Sequence, residues 1–333
     1  MSMSFNPIRG RSGRAVAALA TMAVAGVVAL VPHGVPGASA AEPVRDMAGA
    51  VLQSPPEPRA AIPHRSSSPD SDPLGYWTAD RMRSAVRAGS PAGARAEATA
   101  GNSASGHPMQ TVGKLFYVDA NGQDSWCTAA VINGSSHNLV ETAGHCVYTY
   151  GRGWNTKFAF APGYDNGRAP YLVWDYSRAF TLSAWALHQD DEHDQGFVAF
   201  QRRLVYTHRP YWAYLTDWVG GNTLRTGLGN DVKKVTVVGY PTYWPLTGES
   251  QGTCTGDAEP FPGFTEHATV LHGCRMTPGS SGGPWFSTMT SADSGEVFAV
   301  TTLGRFLLPD PYALAVPNDW EVWCMYLIAS ARS

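Results

Sequence analysis

The sequence predicts an all-β fold that ends in a helix. Three observations point there. From about Gln110 onward, short apolar runs of strand length alternate with turn residues. Glycine and proline reach 35 and 24 of 333 residues, which favours many tight turns over long helices. Only the last stretch changes period. Trp320, Trp323, Cys324, Leu327 and Ile328 recur at helical spacing, and Asn318 or Asp319 can cap the start.

In chain order, the first segment is a targeting signal. Arg9, Arg11 and Arg14 precede an uncharged, largely apolar run from Ala15 to Val31, and Ala38-Ser39-Ala40 offers a cleavage site before Ala41. The run is marginal for a membrane span, which needs about 20 apolar residues, so residues 1–40 are expected to direct secretion. Residues 41–108 are rich in Ala, Pro, Ser, Gly and Arg and lack sustained periodicity, apart from a short possible helix around Thr78 to Ala88. Such a segment buries too little to order itself. It is expected to be a pro-segment or flexible leader. A globular domain of residues 109–333 follows.

Within that domain Lys114 to Val118 is the first strand-like run. Cys127 to Ile132 and Leu139 to Ala143 come next, joined through Asn133-Gly134, a hairpin signal. Phe158 to Phe160, Phe197 to Phe200, Val235 to Val238, Ala268 to Leu271 and Val297 to Thr302 continue the pattern, as a sandwich or barrel would require. Cys127 and Cys146 sit near the outer ends of the hairpin, so a disulfide is expected there, and a second one between Cys254 and Cys274. Cys324 is left over as a buried free thiol. No Cys-x-x-Cys pair suggests a zinc site. With 15% charged residues and a net charge of -3, the chain is neither a charged coiled coil nor an electrostatic nucleic-acid binder. The aromatics Tyr211-Trp212-Ala213-Tyr214 and Trp218 are expected to pack inside the fold, with a surface-binding role as the alternative.

The chemistry concentrates in three places. Pro278-Gly279-Ser280-Ser281-Gly282-Gly283-Pro284 is a serine within a glycine turn, where backbone N–H groups can converge on one spot. A serine hydroxyl is a weak nucleophile and needs a base. His145 in Thr142-Ala143-Gly144-His145-Cys146 is the candidate, held at a crosslinked strand end. Asp194, at the mouth of the apolar run Phe197 to Phe200, is the candidate partner of the imidazole, with Asp190, Asp191 and Asp175 as alternatives.

Thr-Ala-Gly-His-Cys, then Asp-x-Gly-Phe-Val, then Gly-Ser-Ser-Gly-Gly-Pro, in the chain order His, Asp, Ser, resembles the chymotrypsin clan of serine proteases. Phe160 to Gly167 and Val238-Gly239-Tyr240-Pro241 are similar to its bacterial trypsin-like and glutamyl-endopeptidase-like branch. The resemblance implies two packed six-stranded antiparallel β-barrels, about 110–203 and 230–317, followed by a helix at about 319–331. It implies a secreted serine endopeptidase in which His145, Asp194 and Ser281 are catalytic and the N–H groups of Gly279 and Ser281 form the oxyanion hole. No metal or organic cofactor is expected. Partners are expected to be protein or peptide substrates, with no nucleic acid and no membrane after signal removal, and the protein is expected to be a monomer.

Two features depart from the pattern. Trypsin relatives carry Asp before the nucleophile, and here Ser280 stands there, so activation through an ion pair to a new N-terminus is not expected. The specificity pocket would have Arg275, Met276 and Thr277 near its floor and be walled by Met276 to Gly279 and by Thr301, Thr302 and the rest of the run to Gly304. An acidic floor is missing, which disfavours cleavage after Lys or Arg. Arg275 and Arg305 could favour an acidic side chain, although glutamate-specific relatives place a histidine in the strand Ala299 to Gly304 and none is here. A catalytically silent double-barrel binding protein and a secreted esterase using the same site are the alternatives.

Overall fold

The computed structural model describes residues 61–65, 73–87, 107–242, 246–276, 278–305 and 311–331. The expected signal segment 1–40 lies outside the described residues, as does Thr277.

Two closed barrels carry the fold. The first is built from β1 (Val112–Val118), β2 (Asp124–Ile132), β3 (Leu139–Thr142), β4 (Thr156–Pro162), β5 (Trp174–Leu182) and β6 (Gly196–Phe200). Every neighbouring pair is antiparallel, around the ring β1-β2-β3-β6-β5-β4 and back to β1. The second uses β7 (Val232–Gly239), β8 (Gly252–Pro260), β9 (Thr269–His272), β10 (Pro284–Met289), β11 (Gly295–Arg305) and β12 (Tyr312–Pro317). Its ring, β7-β8-β9-β12-β11-β10, repeats the connectivity of the first. The expected hairpin is β2–β3, with Ile132 opposite Leu139. β8 escaped the sequence reading because Gly252 to Pro260 is polar, with glycine inside it, and gives no apolar signal.

Each barrel has its own interior. Leu115, Phe158, Phe160, Trp174, Val198 and Phe200 fill the first. Val235, Val237, Leu271, Trp285 and Phe298 fill the second. The disulfides pair as expected: Cys127 with Cys146 and Cys254 with Cys274.

Three expectations need correction. First, the short helix expected around Thr78 to Ala88 is present, but parts of the leader around it are ordered as well. A helix at Ala79–Ser84, capped by Thr78, and the strand Val86–Arg87 dock on the first barrel. Trp77, Met82 and Ala85 are buried there with Phe116, Trp126, Tyr164 and Tyr240. The Trp77 indole N–H donates to the Lys157 carbonyl at 2.6 Å. Residues 61–65 add a further antiparallel strand beside β5. The segment is ordered by the barrel surface it covers, which its own composition cannot reveal.

Second, the C-terminal helix α3 (Trp320–Ala331) begins as expected, with the Asp319 carboxylate accepting from the Val322 N–H at 2.9 Å. Its buried face is Val322, Met325 and Ala329, whereas Trp320 and Leu327 are exposed. This helix is apolar nearly all round, so periodicity alone could not choose the face. Cys324 is a free thiol, half-buried rather than buried.

Third, Trp212 does not pack between the barrels. It lies exposed on a separate hairpin, Arg203–Tyr206 with Pro210–Ala213.

Candidate active site

His145 sits in the single turn α1 (Gly144–Val147), which opens directly after β3. The Cys127–Cys146 bridge ties the next residue to β2. Gly144 is needed here: a Cβ would lie 3.0 Å from the Trp185 ring and 3.1 Å from Asp194 Oδ1. Asp194 follows a 3-10 turn, Asp191–His193, and precedes β6. Gly196, at the start of β6, lets the strand pass close to α1, since a Cβ would meet Val147 at 2.7 Å.

The Asp194 carboxylate is 2% exposed and makes three hydrogen bonds. Oδ1 accepts from the His145 backbone N–H at 2.7 Å, and Oδ2 accepts from His145 Nδ1–H at 2.8 Å. The Thr302 hydroxyl, on β11, donates to the same Oδ2. With Nδ1 carrying the proton, the lone pair of the imidazole is on Nε2. Burial alone would lower the imidazole's pKa, but the Asp194 carboxylate, with Asp191 behind it, outweighs burial and holds it above its ordinary value.

The other acidic candidates have different work. Asp190 caps the Glu192 N–H at 3.2 Å and pairs with His193 at 3.0 Å. Asp175 lies on β5 and accepts from Gln201 at 3.3 Å. Asp191 is half-buried near the imidazole, and burial, then the Asp194 and Asp190 charges, push its own pKa up.

Ser281 comes from the second barrel, in the turn before β10. The first barrel holds that turn. The Thr128 N–H donates to the Ser281 carbonyl at 2.9 Å, and the Thr128 hydroxyl donates to the Gly279 carbonyl at 2.8 Å. Gly279 has φ 100° and Gly282 φ 77°, both left-handed. Among the described residues, no acceptor takes the N–H of Gly279 or Ser281. Ser280 is fully buried against Gly239.

His145, Asp194 and Ser281 all line one cavity of about 790 Å³. Met276, Pro278, Thr301, Thr302 and Leu303 form its wall beside the serine, and Trp185 of helix α2 (Ser183–His188), Gln189 and Asp191 that beside the histidine. Of the expected pocket residues, Met276, Pro278, Thr301, Thr302 and Leu303 are on the wall, whereas Arg275 and Gly279 are not, and the surface at Gly304 lies outside the described residues. The Thr301 hydroxyl accepts from the Trp285 indole N–H at 2.9 Å, and that of Thr302 is engaged by Asp194. The sequence reading missed Thr302 as a partner of Asp194. A threonine inside an apolar strand gives no hint of which carboxylate it will face.

Cys127, His145 and Cys146 form the one group of potential metal donors among the described residues. They do not fit a metal. Both sulfurs are spent in a disulfide, and His145 Nδ1 is held by Asp194.

No family model matches the chain. A curated relative, an extracellular metalloprotease of Bacillus subtilis, is 25% identical over 183 residues, 54% of this chain and 51% of its own. The chain thus spans about half the length of that relative. Among solved structures, the protease Anisep from Arthrobacter nicotinovorans is 26% identical with a TM-score of 0.59, covering 68% of this chain and 98% of its own. A thermostable serine protease, AL20, from an extremophilic microorganism is also 26% identical, with a TM-score of 0.60, covering 68% of this chain and 99% of its own. A Glu endopeptidase is 16% identical with a TM-score of 0.53, covering 71% and 100%, a likeness of fold alone. In its two rings of six strands and in these likenesses, the chain is a chymotrypsin-clan-like double β-barrel protein, built as the proteases of that clan are built.

Proposed function

We propose that the chain is a secreted serine endopeptidase acting on protein or peptide substrates. One observation carries this reading. A buried carboxylate holds an imidazole by Nδ1 at 2.8 Å, and a serine in a glycine turn faces the same cavity. His145 Nε2 takes the proton as Ser281 Oγ bonds to the scissile carbonyl carbon. The carbonyl oxygen becomes an oxyanion received by the Gly279 and Ser281 N–H groups. As the C–N bond breaks, His145 returns the proton to the leaving amine. Water, deprotonated by the same imidazole, then releases the acyl group. Asp194 fixes the tautomer and stabilises the imidazolium. The two disulfides and the extracellular relative fit an oxidising, extracellular location.

The metal in the relative's name is not carried over, because the one donor set among the described residues does not fit a metal. The pocket reading favours an uncharged side chain before the scissile bond. Among the described residues the cavity wall carries no Arg or Lys, Met276 is apolar, and both threonine hydroxyls are engaged. The preference for an acidic side chain finds no support in Arg275, and the Arg305 side chain lies outside the described residues.

The test is an organophosphonate serine probe with mass mapping of the adduct. A label on Ser281 that disappears in His145→Ala is expected, and so is loss of peptide hydrolysis in a folded Ser281→Ala variant. Peptidase activity undiminished in Ser281→Ala would remove the serine from the mechanism. Hydrolysis is expected to fall as the pH drops through the raised His145 pKa, because only the neutral imidazole can accept the proton.

A further inference from the structure

The hairpin Arg203–Tyr206 with Pro210–Ala213 forms a two-stranded sheet of its own, outside both rings. One face anchors it: Val205 and Ala213 are buried in the core of the first barrel. Side chains alternate across a strand, so the cross-strand pairs Leu204–Trp212 and Tyr206–Pro210 share the other face. That face is open, with Tyr206 76% and Trp212 59% exposed. Leaving a tryptophan and a tyrosine in water forgoes burial that would have stabilised the fold. The surroundings are cationic. Arg202, His208 and Arg209 are exposed, the hairpin itself carries no acidic residue, and of the nearby carboxylates Asp217 pairs with His137 and Asp175 accepts from Gln201. The Arg202 guanidinium lies 5.5 Å from the Tyr214 ring centre.

We propose that this hairpin face is a docking site for an anionic polysaccharide. Sugar rings present flat C–H faces that stack on exposed indole and phenol rings, whose polar tips can bond to sugar hydroxyls. Carboxylate or phosphodiester groups on the polymer match the guanidinium groups. A lipid surface fits less well. Besides a proline, the face carries one aliphatic side chain, Leu204, and its rings end in polar groups, too little apolar depth for insertion. A folded protein partner fits less well too. Four residues per strand span about 13 Å and two strands about 10 Å, a face of roughly 130 Å², far short of the roughly 800 Å² per partner of a stable protein interface. The polymer would bind independently of the peptidase chemistry and keep the enzyme on a charged matrix.

The test is migration of the full chain in native gels containing polygalacturonate. Dextran serves as the neutral polymer, and sedimentation with phosphatidylglycerol vesicles is run in parallel. Retardation by polygalacturonate but not dextran is expected, weakening as salt rises. Trp212→Ala, and separately Arg202→Gln with Arg209→Gln, should weaken the dissociation constant at least tenfold. Trp320→Ala, an exposed tryptophan elsewhere, should leave it unchanged. Tyr206→Ser provides the same reading should Trp212→Ala fail to fold. Retention unaffected by these hairpin variants, binding to no polymer, or binding to the vesicles in place of the polymer would each overturn the proposal.

Discussion

In the first barrel, β1 is buried at every position and β2 at all but its first. In the second, β8 alternates between exposed and partly or fully buried positions, and the first three positions of β7 are exposed or half-buried. The ring connectivity is the same, so the difference lies in what covers the outside. The docked segment 73–87 lies over one side of the first barrel, and α3 packs on β5 and β6. The teaching is that the two halves hold their site residues by different means. His145 is fixed by the dense packing of its own barrel, and Asp194 by that packing together with the Thr302 hydroxyl from β11. The Ser281 turn is fixed from across the cleft, by Thr128.

The largest effect should come from the better-packed half. Asp194→Asn is expected to lower turnover about 10⁴-fold, with the fold intact, because the imidazole loses its tautomer and its counter-charge. Steady-state kinetics beside circular dichroism checks this. Turnover within a few fold of wild type would hand the role to another carboxylate.

The clamp on the serine is tested next by Gly282→Ala. Its Cβ would sit 2.1 Å from Thr142 Oγ1 and 2.4 Å from the Thr128 carbonyl oxygen, at φ 77°. Shifting the turn by even about 1 Å should cost on the order of 10²-fold in kcat/KM. Gly263→Ala, on the outside of the second barrel with its nearest neighbours 3.8 Å away, should change nothing. Equal effects at the two glycines would mean the second barrel holds its own serine.

Trp77→Ala asks whether the docked segment belongs to the fold. Trp77 is 3% exposed, and removing it should cost about 3–5 kcal/mol in urea unfolding. Thr255→Ala, exposed on β8, should stay within about 0.5 kcal/mol. A neutral Trp77→Ala would show the segment to be a removable cover.

The last effect depends on pH. Glu141, on β3, is fully buried, and burial pushes its pKa up to about 8, with the Asn318 amide offsetting part of the shift. The unfolded chain ionises this group near 4.5, whereas the folded chain holds the proton until about 8. Its contribution to stability is therefore fully present below pH 4.5 and is lost as the pH rises towards 8. Glu141→Gln should flatten the fall in melting temperature between pH 5 and pH 9. An unchanged slope would mean the loss comes from other groups.

Much of the fold could be read from the residues. Asn133-Gly134 marked the β2–β3 connection, and Phe197 to Phe200 marked β6. The proposed triad could be picked out because His145 and Ser281 stand in short contexts of small residues and Asp194 stands just before an apolar strand. What escaped depends on contacts distant in sequence. Nothing in Ala79 to Ser84 shows that Phe116 and Tyr164 will bury its neighbours. An all-apolar helix did not reveal which side would face β5 and β6. Trp212 looked like core because its type usually is, and only the hairpin register places it outside.

The Thr302–Asp194 hydrogen bond joins β11 to a carboxylate that belongs to the first barrel. A chain exported N-terminus first completes β6, and with it the His145–Asp194 pair, well before Ser281 and Thr302 emerge. During threading it holds a base and no nucleophile. On the proposed roles, the cutting machinery exists only once the last strands have closed the second ring, so a half-made chain is spared from digesting itself.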